Sequence, residues 1–219
     1  MSKARFTPYY ALMLLASLGF TQSLAVAAEN TIEEVVVTAD FRARSELETA
    51  ASVTVMTDTV IKSRAAQHFE ELVNAIPNVN YASGSNRARF FQIRGIGERS
   101  QFVAPVNPSV GFLVDNVDFS GAATIATMMD VEQVEVLRGP QGTRYGANAL
   151  AGLINVKTHD PEDQFAASLK LGAADYNTNT VAAMITGPVA ETVSARLALE
   201  RHRSDGYYEN DYLQTDRNN

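Results

Sequence analysis

The residue types that most often carry chemistry are few and scattered in this chain. Its three histidines, His68, His159 and His202, lack the spacing of a ligand set, and with no cysteine there is neither a thiolate metal site nor a disulfide framework. No nucleophile, base and orienter stand together in a recognisable pattern, so an enzyme is not expected, and no metal or other cofactor is implied. The glycines of LRGPQGTRYGANALAG are the remaining candidate, as a phosphate cradle. Spacing argues against it: five residues after Gly139 stands Arg144, not the second glycine of a GxxxxGK(S/T) loop, and GIGERS at Gly95 lacks the third glycine of a dinucleotide fingerprint. What Gly139, Gly142, Gly146 and Gly152 suit is a strand that leaves a sheet, turns at Pro140 and returns.

The elements that position this turn interleave helix and strand. FEELVNAIP spaces Phe69, Leu72, Val73 and Ile76 as one apolar helix stripe, and Pro77 ends it. Strand-like runs follow and precede it: SVTVM from Ser52, ARFFQIRG from Ala88, SVGFLVDNV from Ser109, VEQVEVLRG from Val131 and GLINVKT from Gly152. Such mixing predicts an α+β domain, a small mixed sheet with short helices, over residues 48–159.

Beyond Asp160 the period becomes strictly two. Phe165, Ala167, Leu169, Leu171 and Ala173 alternate with polar or small residues, and Val193, Ala195, Leu197 and Leu199 do the same, with a weaker alternation over Thr178 to Thr186. DYN at Asp175 and GPVAET at Gly187 read as turns, and SDGYYEND opens a longer loop. This antiparallel meander fits either the wall of an outer-membrane barrel or a soluble sheet that packs its apolar face on a core. The stretch from Asp160 to Asn219 has room for about four or five membrane strands, whereas a closed barrel takes about eight or more, so an incomplete barrel, from a partial sequence or a truncated reading frame, is the expectation.

Compartment is legible at the other end. Lys3 and Arg5, the apolar run Tyr10 to Phe20 and the small residues Ala25 and Ala27 read as a secretory leader, residues 1–27, with cleavage after Ala27, the alternative being an uncleaved anchor, for which the apolar run is short. The net charge is −7, and loss of Lys3 and Arg5 makes it more negative, which argues against a nucleic-acid partner. IEEVVVTA, Ile32 to Ala39, then opens the mature chain as a β-branched run with almost nothing before it.

The segment Val131 to Thr158 closely resembles the plug domain of TonB-dependent outer-membrane receptors, and four further pieces match in order: IEEVVVTA resembles a TonB box, FEELVNAIPNV the early plug helix, FQIRGIG the RG-containing strand and VGFLVDNV a strand usually written with VDG. Arg144 in TRYG departs from that pattern. The resemblance implies an α+β plug followed by the first antiparallel strands of a transmembrane β-barrel, in the outer membrane of a Gram-negative cell and in contact with its lipid. Residues 28–47 are then box and linker, and 160–219 the wall.

The resemblance also implies roles. TonB, of the inner-membrane energy-transducing complex, would add Ile32, Glu33, Glu34, Val35, Val36, Val37, Thr38 and Ala39 to its own sheet, backbone bonds giving affinity and alternate side chains specificity. A proton-gradient-driven pull would then shift or partly unfold the plug. The alternative for this run is a first strand of the plug itself. Arg94 and Arg138 would pair with barrel glutamates, the alternative being solvated strand-end charges. Gly95, Gly139, Pro140, Gly142, Tyr145, Gly146 and Gly152 form the plug motif. Only Ala28 to Thr31 separate leader from box, too few for the extra domain of signalling receptors. The implied substrate is a small molecule, most often a ferric siderophore, with haem and cobalamin as other cases. Arg87, Arg99, Gln101 and Phe102 would meet it from the plug loops, unless they are solvated loop residues. A stand-alone periplasmic plug that binds TonB or ligand without transport is the alternative function.

Overall fold

The computed structural model describes residues 36–38, 44–45, 51–83, 87–100, 102, 105–123, 126–205, 208–210 and 215–217. The leader, Ile32 to Val35, Ala39, most of the tether after it and Gln101 lie outside the described residues. In chain order the strands are β1 (Val36–Val37), β2 (Arg44–Ser45), β3 (Ser52–Thr57), β4 (Val79–Ala82), β5 (Phe90–Ile93), β6 (Val110–Val114), β7 (Val117–Asp118), β8 (Val131–Arg138), β9 (Gly152–Thr158), β10 (Ala166–Ala174), β11 (Thr178–Ala190), β12 (Val193–Arg203), β13 (Tyr208–Asn210) and β14 (Thr215–Arg217). Among the described residues the other elements are two short α-helices, α1 (Asp58–Ser63) and α2 (Gly142–Tyr145), and several 3-10 turns.

The plug is built on a five-stranded mixed sheet of order β3-β8-β9-β6-β7, in which only β6 and β9 run parallel. Side chains alternate across a strand, so each central strand feeds two faces. One receives Val134 and Val136 of β8 with Ile154 and Val156 of β9, packed against Phe69, Leu72, Ile76, Phe91 and Phe112. Phe69 is fully buried. Its ring meets Phe91 edge-on at 4.9 Å and Phe112 at 5.9 Å. The other face receives Leu137 and Leu153, joined by Leu113 of β6 and by Val37 from β1.

The stripe from Phe69 to Ile76 is buried as its spacing predicts, but it is not an α-helix. It forms two 3-10 turns, Phe69–Glu71 and Val73–Ala75, and the Phe69 N–H donates to Ala126 O at 3.2 Å. A segment this short gains little from helix propagation, so the contacts of its apolar face decide its form. The SVGFLVDNV run is also corrected: Asp115 and Asn116, both at positive φ, break it into the tight β6–β7 hairpin.

The turn between β8 and β9 holds α2. Gly152 returns the chain beside β8 so closely that a Cβ there would collide with Leu137 O and Ile93 Cδ1. Gly139, at φ +113°, leaves β8 in a conformation that favours glycine. Gly142 needs no such freedom: it opens α2 with open space around it.

The meander β10-β11-β12 is an antiparallel wall with Leu169 opposite Ala183, Ala183 opposite Leu199 and Ile185 opposite Leu197. Its apolar face points outward. Leu169, Leu171, Leu197 and Leu199 are all more than half exposed, while Ala182 and Thr186 on the other face are buried. A soluble sheet would reverse this, so the orientation favours the barrel wall. GPVAET is not a turn over its length: β11 runs through Gly187 to Ala190 and only Glu191 and Thr192 connect it to β12. Among the described residues the wall sheet has three strands and stays open, and β13 and β14 form a separate pair after it, so five strands follow Asp160.

Candidate functional site

β8 reads VEQVEVLR, and its alternation puts Gln133, Glu135 and Leu137 on the face away from the main core. Asn155 of β9 joins them on the neighbouring strand. The described part of the N-terminal run, Val36 to Thr38, lies on this face. Val37 is fully buried against Leu113, Leu137 and Leu153, with Tyr145, Val53 and Val55 packed around them. Burial of a valine side chain contributes about 1.5–3 kcal/mol. Its backbone is held by side chains. Thr38 donates to Glu135 Oε1 twice, from N–H at 2.6 Å and from Oγ1 at 2.8 Å. Gln133 Nε2 donates to Glu135 Oε1 at 2.6 Å and to Val36 O at 3.0 Å, and Asn155 Nδ2 to Glu135 Oε2 at 3.3 Å.

Glu135 has no exposed surface. A carboxylate removed from water is expensive unless hydrogen-bonded, and these donors supply that compensation. Burial and the Glu135 charge push the Tyr145 phenol above its ordinary value, with Arg144 pulling it back. Beside Thr38 a polar cavity of about 440 Å³ opens, lined among others by Asp115, Asn155, Lys157, Asp160 and Arg196. The described part of the run, Val36 to Thr38, is thus held on this face of the plug. β1 pairs with β2, Val36 opposite Ser45 and Val37 opposite Arg44, and Val37 is sealed into the plug.

The two singled-out arginines part ways. Arg138 turns back over the plug. Its Nε donates to Ser52 Oγ at 3.0 Å, Nη1 to Thr54 Oγ1 at 2.7 Å and Nη2 to Val53 O at 3.2 Å, which ties β3 to the end of β8. Arg94 is exposed at φ +53°, its N–H donates to Asn78 O at 2.8 Å, and its guanidinium runs beside Gly139.

The described plug–wall ion pair has the opposite polarity to that expectation. Arg196 of β12 grips Asp130 of the plug with two hydrogen bonds, Nε to Oδ2 at 2.7 Å and Nη2 to Oδ1 at 2.6 Å, and Glu162 adds a third oxygen at 3.2 Å. Farther along the wall, His202 Nδ1 lies 3.0 Å from Gln67 Nε2 of the plug.

Of the loop residues, Arg87 is engaged by Glu70 at 3.0 Å and Glu71 at 3.6 Å. Arg99 is exposed, and Phe102 is 88% exposed on the loop after β5. Among the described residues no hydrogen bond or ring contact joins Arg87 to Arg99 or Phe102.

Glu135, Gln133, Asn155 and Arg196 were not singled out from the sequence. For the first three the signal was present in weak form: polar residues share one face with Leu137 and Leu153, a mixture that a fully solvated face does not need.

Residues 45–153 match the model of the TonB-dependent Receptor Plug Domain. The chain belongs to the TonB-dependent receptors. This is a family of outer-membrane transport receptors of Gram-negative bacteria and not of enzymes. The chain is 28% identical over 180 residues to a pesticin receptor of Yersinia enterocolitica, covering 81% of this chain and 26% of that protein. It is 25% identical over 206 residues to the vitamin B12 transporter BtuB of Vibrio vulnificus, covering 90% of this chain and 32% of that one. Among solved structures, the ferric yersiniabactin uptake receptor FyuA from Yersinia pestis superposes with a TM-score of 0.66 at 28% identity, covering 76% of this chain and 26% of that one. The chain thus spans about a quarter to a third of the length of these relatives.

Proposed function

We propose that the chain is the N-terminal part of an active outer-membrane importer, in which the plug gates a barrel and the run from Ile32 to Ala39 recruits TonB by strand addition. In this reading residues 1–27 are a leader, 28–47 the TonB box and linker, 48–159 the plug and 160–219 the first wall strands. The observation that carries it is the wall sheet itself: its polar side grips the plug through Arg196 and Asp130 while leucines cover its outer side. A plug that only bound ligand in the periplasm would have no use for strands of that kind.

Strand addition is supported by the form of the run. Val36 and Val37 are extended and, among the described residues, pair with Ser45 and Arg44 of β2, outside the five-stranded sheet, so they can be handed to another sheet without dismantling this one. Arg94, exposed, keeps its role as a contact to a barrel carboxylate; Arg138 is the weaker candidate because its guanidinium is bonded within the plug.

The substrate we favour is a ferric-siderophore-type iron chelate. Support comes from FyuA and from the ferric enterobactin receptor PirA of Pseudomonas aeruginosa, 27% identical over 183 residues. Arg99 and Phe102, exposed on one loop, offer charge and an apolar surface to an anionic chelate, with Gln101 between them; Arg87, paired with two glutamates, offers less. Cobalamin is the second reading, because the BtuB relatives match over much of the same chain.

The test is deletion of Ile32 to Ala39 in the full receptor. Uptake should be abolished while substrate binding is retained, and unimpaired uptake would overturn the assignment. Binding assays with iron chelates, haem and cobalamin address the substrate, and binding of cobalamin alone would reject the iron-chelate choice.

A further inference from the structure

On an alternating strand every second residue points the same way, and the outward set of β12 is Val193, Ala195, Leu197, Leu199, Arg201 and Arg203. The first four are apolar and the last two are cations. Arg201 stands opposite Val181 of β11, which faces Leu171 of β10, whereas Arg203 stands opposite Asn179, which faces Ala173. The row of Arg201 thus still belongs to the apolar band, and the row of Arg203 is its rim. The height agrees. Along a strand tilted by about 40°, Arg201 stands roughly 20 Å and Arg203 roughly 26 Å above Val193, at the upper edge of an apolar band about 25 Å tall. An arginine on the lipid face is costly at the midplane and nearly free at that edge, where its stem lies along apolar neighbours and its head reaches the headgroups.

Barrel walls put their short turns toward the periplasm and their longer connections outside. Only Glu191 and Thr192 join β11 to β12, whereas the end that holds Arg203 carries the turn from Asp175 to Asn177 and the connection from Ser204 to β13. The arginines therefore lie at the outer leaflet. Their charge is unbalanced there. The whole chain carries seven more acidic than basic residues, and the inward Arg196 is neutralised by Asp130 and Glu162. Arg201 and Arg203 are both exposed, and among the described residues neither has an ion-pair partner. No aspartate or glutamate stands at an outward position of β10, β11 or β12. The patch calls for an anion that is reached from the membrane rim. Two guanidinium forks rooted about 7 Å apart suit phosphate oxygens, which each can meet bidentately.

We infer that Arg201 and Arg203 form a headgroup site for a phosphorylated glycolipid of the outer leaflet, its phosphate on the two guanidinium groups and its acyl chains along Leu171, Leu197 and Leu199. The inference rests on the reading of β10 to β12 as a lipid-facing wall and adds a specific lipid contact to it.

The test titrates the full receptor in detergent with bis-phosphorylated lipid A and counts bound lipid by native mass spectrometry. The double variant Arg201→Gln, Arg203→Gln keeps most of each stem and removes both charges. It should bind roughly tenfold more weakly or worse. Lysine at both positions should lose less, because the charge remains and only the fork is gone. Heat-modifiable migration on a gel shows that each variant is still a folded barrel. Lipid A stripped of its phosphates should bind parent and glutamine variant alike, and excess inorganic phosphate should leave the intact lipid bound. Equal affinity of parent and glutamine variant for the bis-phosphorylated lipid would overturn the site. Full displacement by inorganic phosphate, or phosphatidylglycerol bound as tightly as lipid A, would overturn the glycolipid as its occupant. A nitroxide at Leu199→Cys that is open to a water-soluble nickel complex would instead remove the wall reading itself, whereas lost lipid preference with Leu199 still shielded removes the site alone.

Discussion

The plug sheet and the wall sheet share a period of two and bury opposite sets of side chains. In the plug, β8 sends Val134 and Val136 into a core that already holds Phe69, Phe91 and Phe112. In the wall, β12 turns Leu197 and Leu199 outward, at 56% and 62% exposure, and keeps Arg196 inward on Asp130. Alternation fixes only that the two faces differ. Which face is inside depends on the surroundings: apolar residues withdraw from water in the plug, whereas in a wall they meet lipid and the polar side meets the plug.

Four substitutions sharpen that contrast. Phe69→Ala should cost the plug about 3–5 kcal/mol, because it empties a site packed by two other rings, while Leu199→Ala should change its stability by less than about 0.5 kcal/mol. Urea unfolding followed by circular dichroism measures both. Leu199→Arg should cost about 2–4 kcal/mol in bilayers if it faces the membrane midplane, compared with a near-neutral change if that face meets water. Asp130→Ala strands the Arg196 guanidinium, whose side chain is only 9% exposed. The expected loss is about 2 kcal/mol, below the range for a fully buried pair because Glu162 remains nearby. Proteolysis of the linked plug and wall would read it.

The smallest effect concerns His68 at the start of the 3-10 turn. Burial first, and Arg87 second, lower its pKa from the ordinary value of 6.5. The unfolded chain then takes up the proton first, so the stability His68 contributes is full above pH 6.5 and is lost as pH falls through its lowered folded value. His68→Gln should flatten that part of the pH profile in a comparison of the two urea midpoints, and two parallel curves would contradict it.

How much of this was legible in the sequence varies from one element to the next. β9 has the bounds of the GLINVKT run, because a glycine that must approach its neighbour closely precedes a run with β-branched Ile154, Val156 and Thr158 at every second position. The Phe69 to Ile76 stripe was legible in burial and not in helix type, since its geometry is set by contacts with Ala126 and Thr127, far along the chain. Glu135 and Arg196 were hidden by the same assumption, that the polar side of an alternating strand faces solvent. Each is instead covered by a segment that no local pattern announces: Thr38 lies 97 residues from Glu135, and Asp130 lies 66 from Arg196. The burial of Val37 was out of reach for that reason too.

The orientation of the wall is the point on which the account turns, and a nitroxide scan tests it directly. Single cysteines from Val193 to Arg201, in the cysteine-free chain reconstituted in bilayers, would each carry a label whose collision rate with dissolved oxygen and with a water-soluble nickel complex is measured. The expected result is a period of two, with oxygen access high at Val193, Ala195, Leu197 and Leu199 and low at Ser194, Arg196 and Ala198. Alternation in the opposite phase, or nickel access at Leu197 and Leu199, would contradict the account.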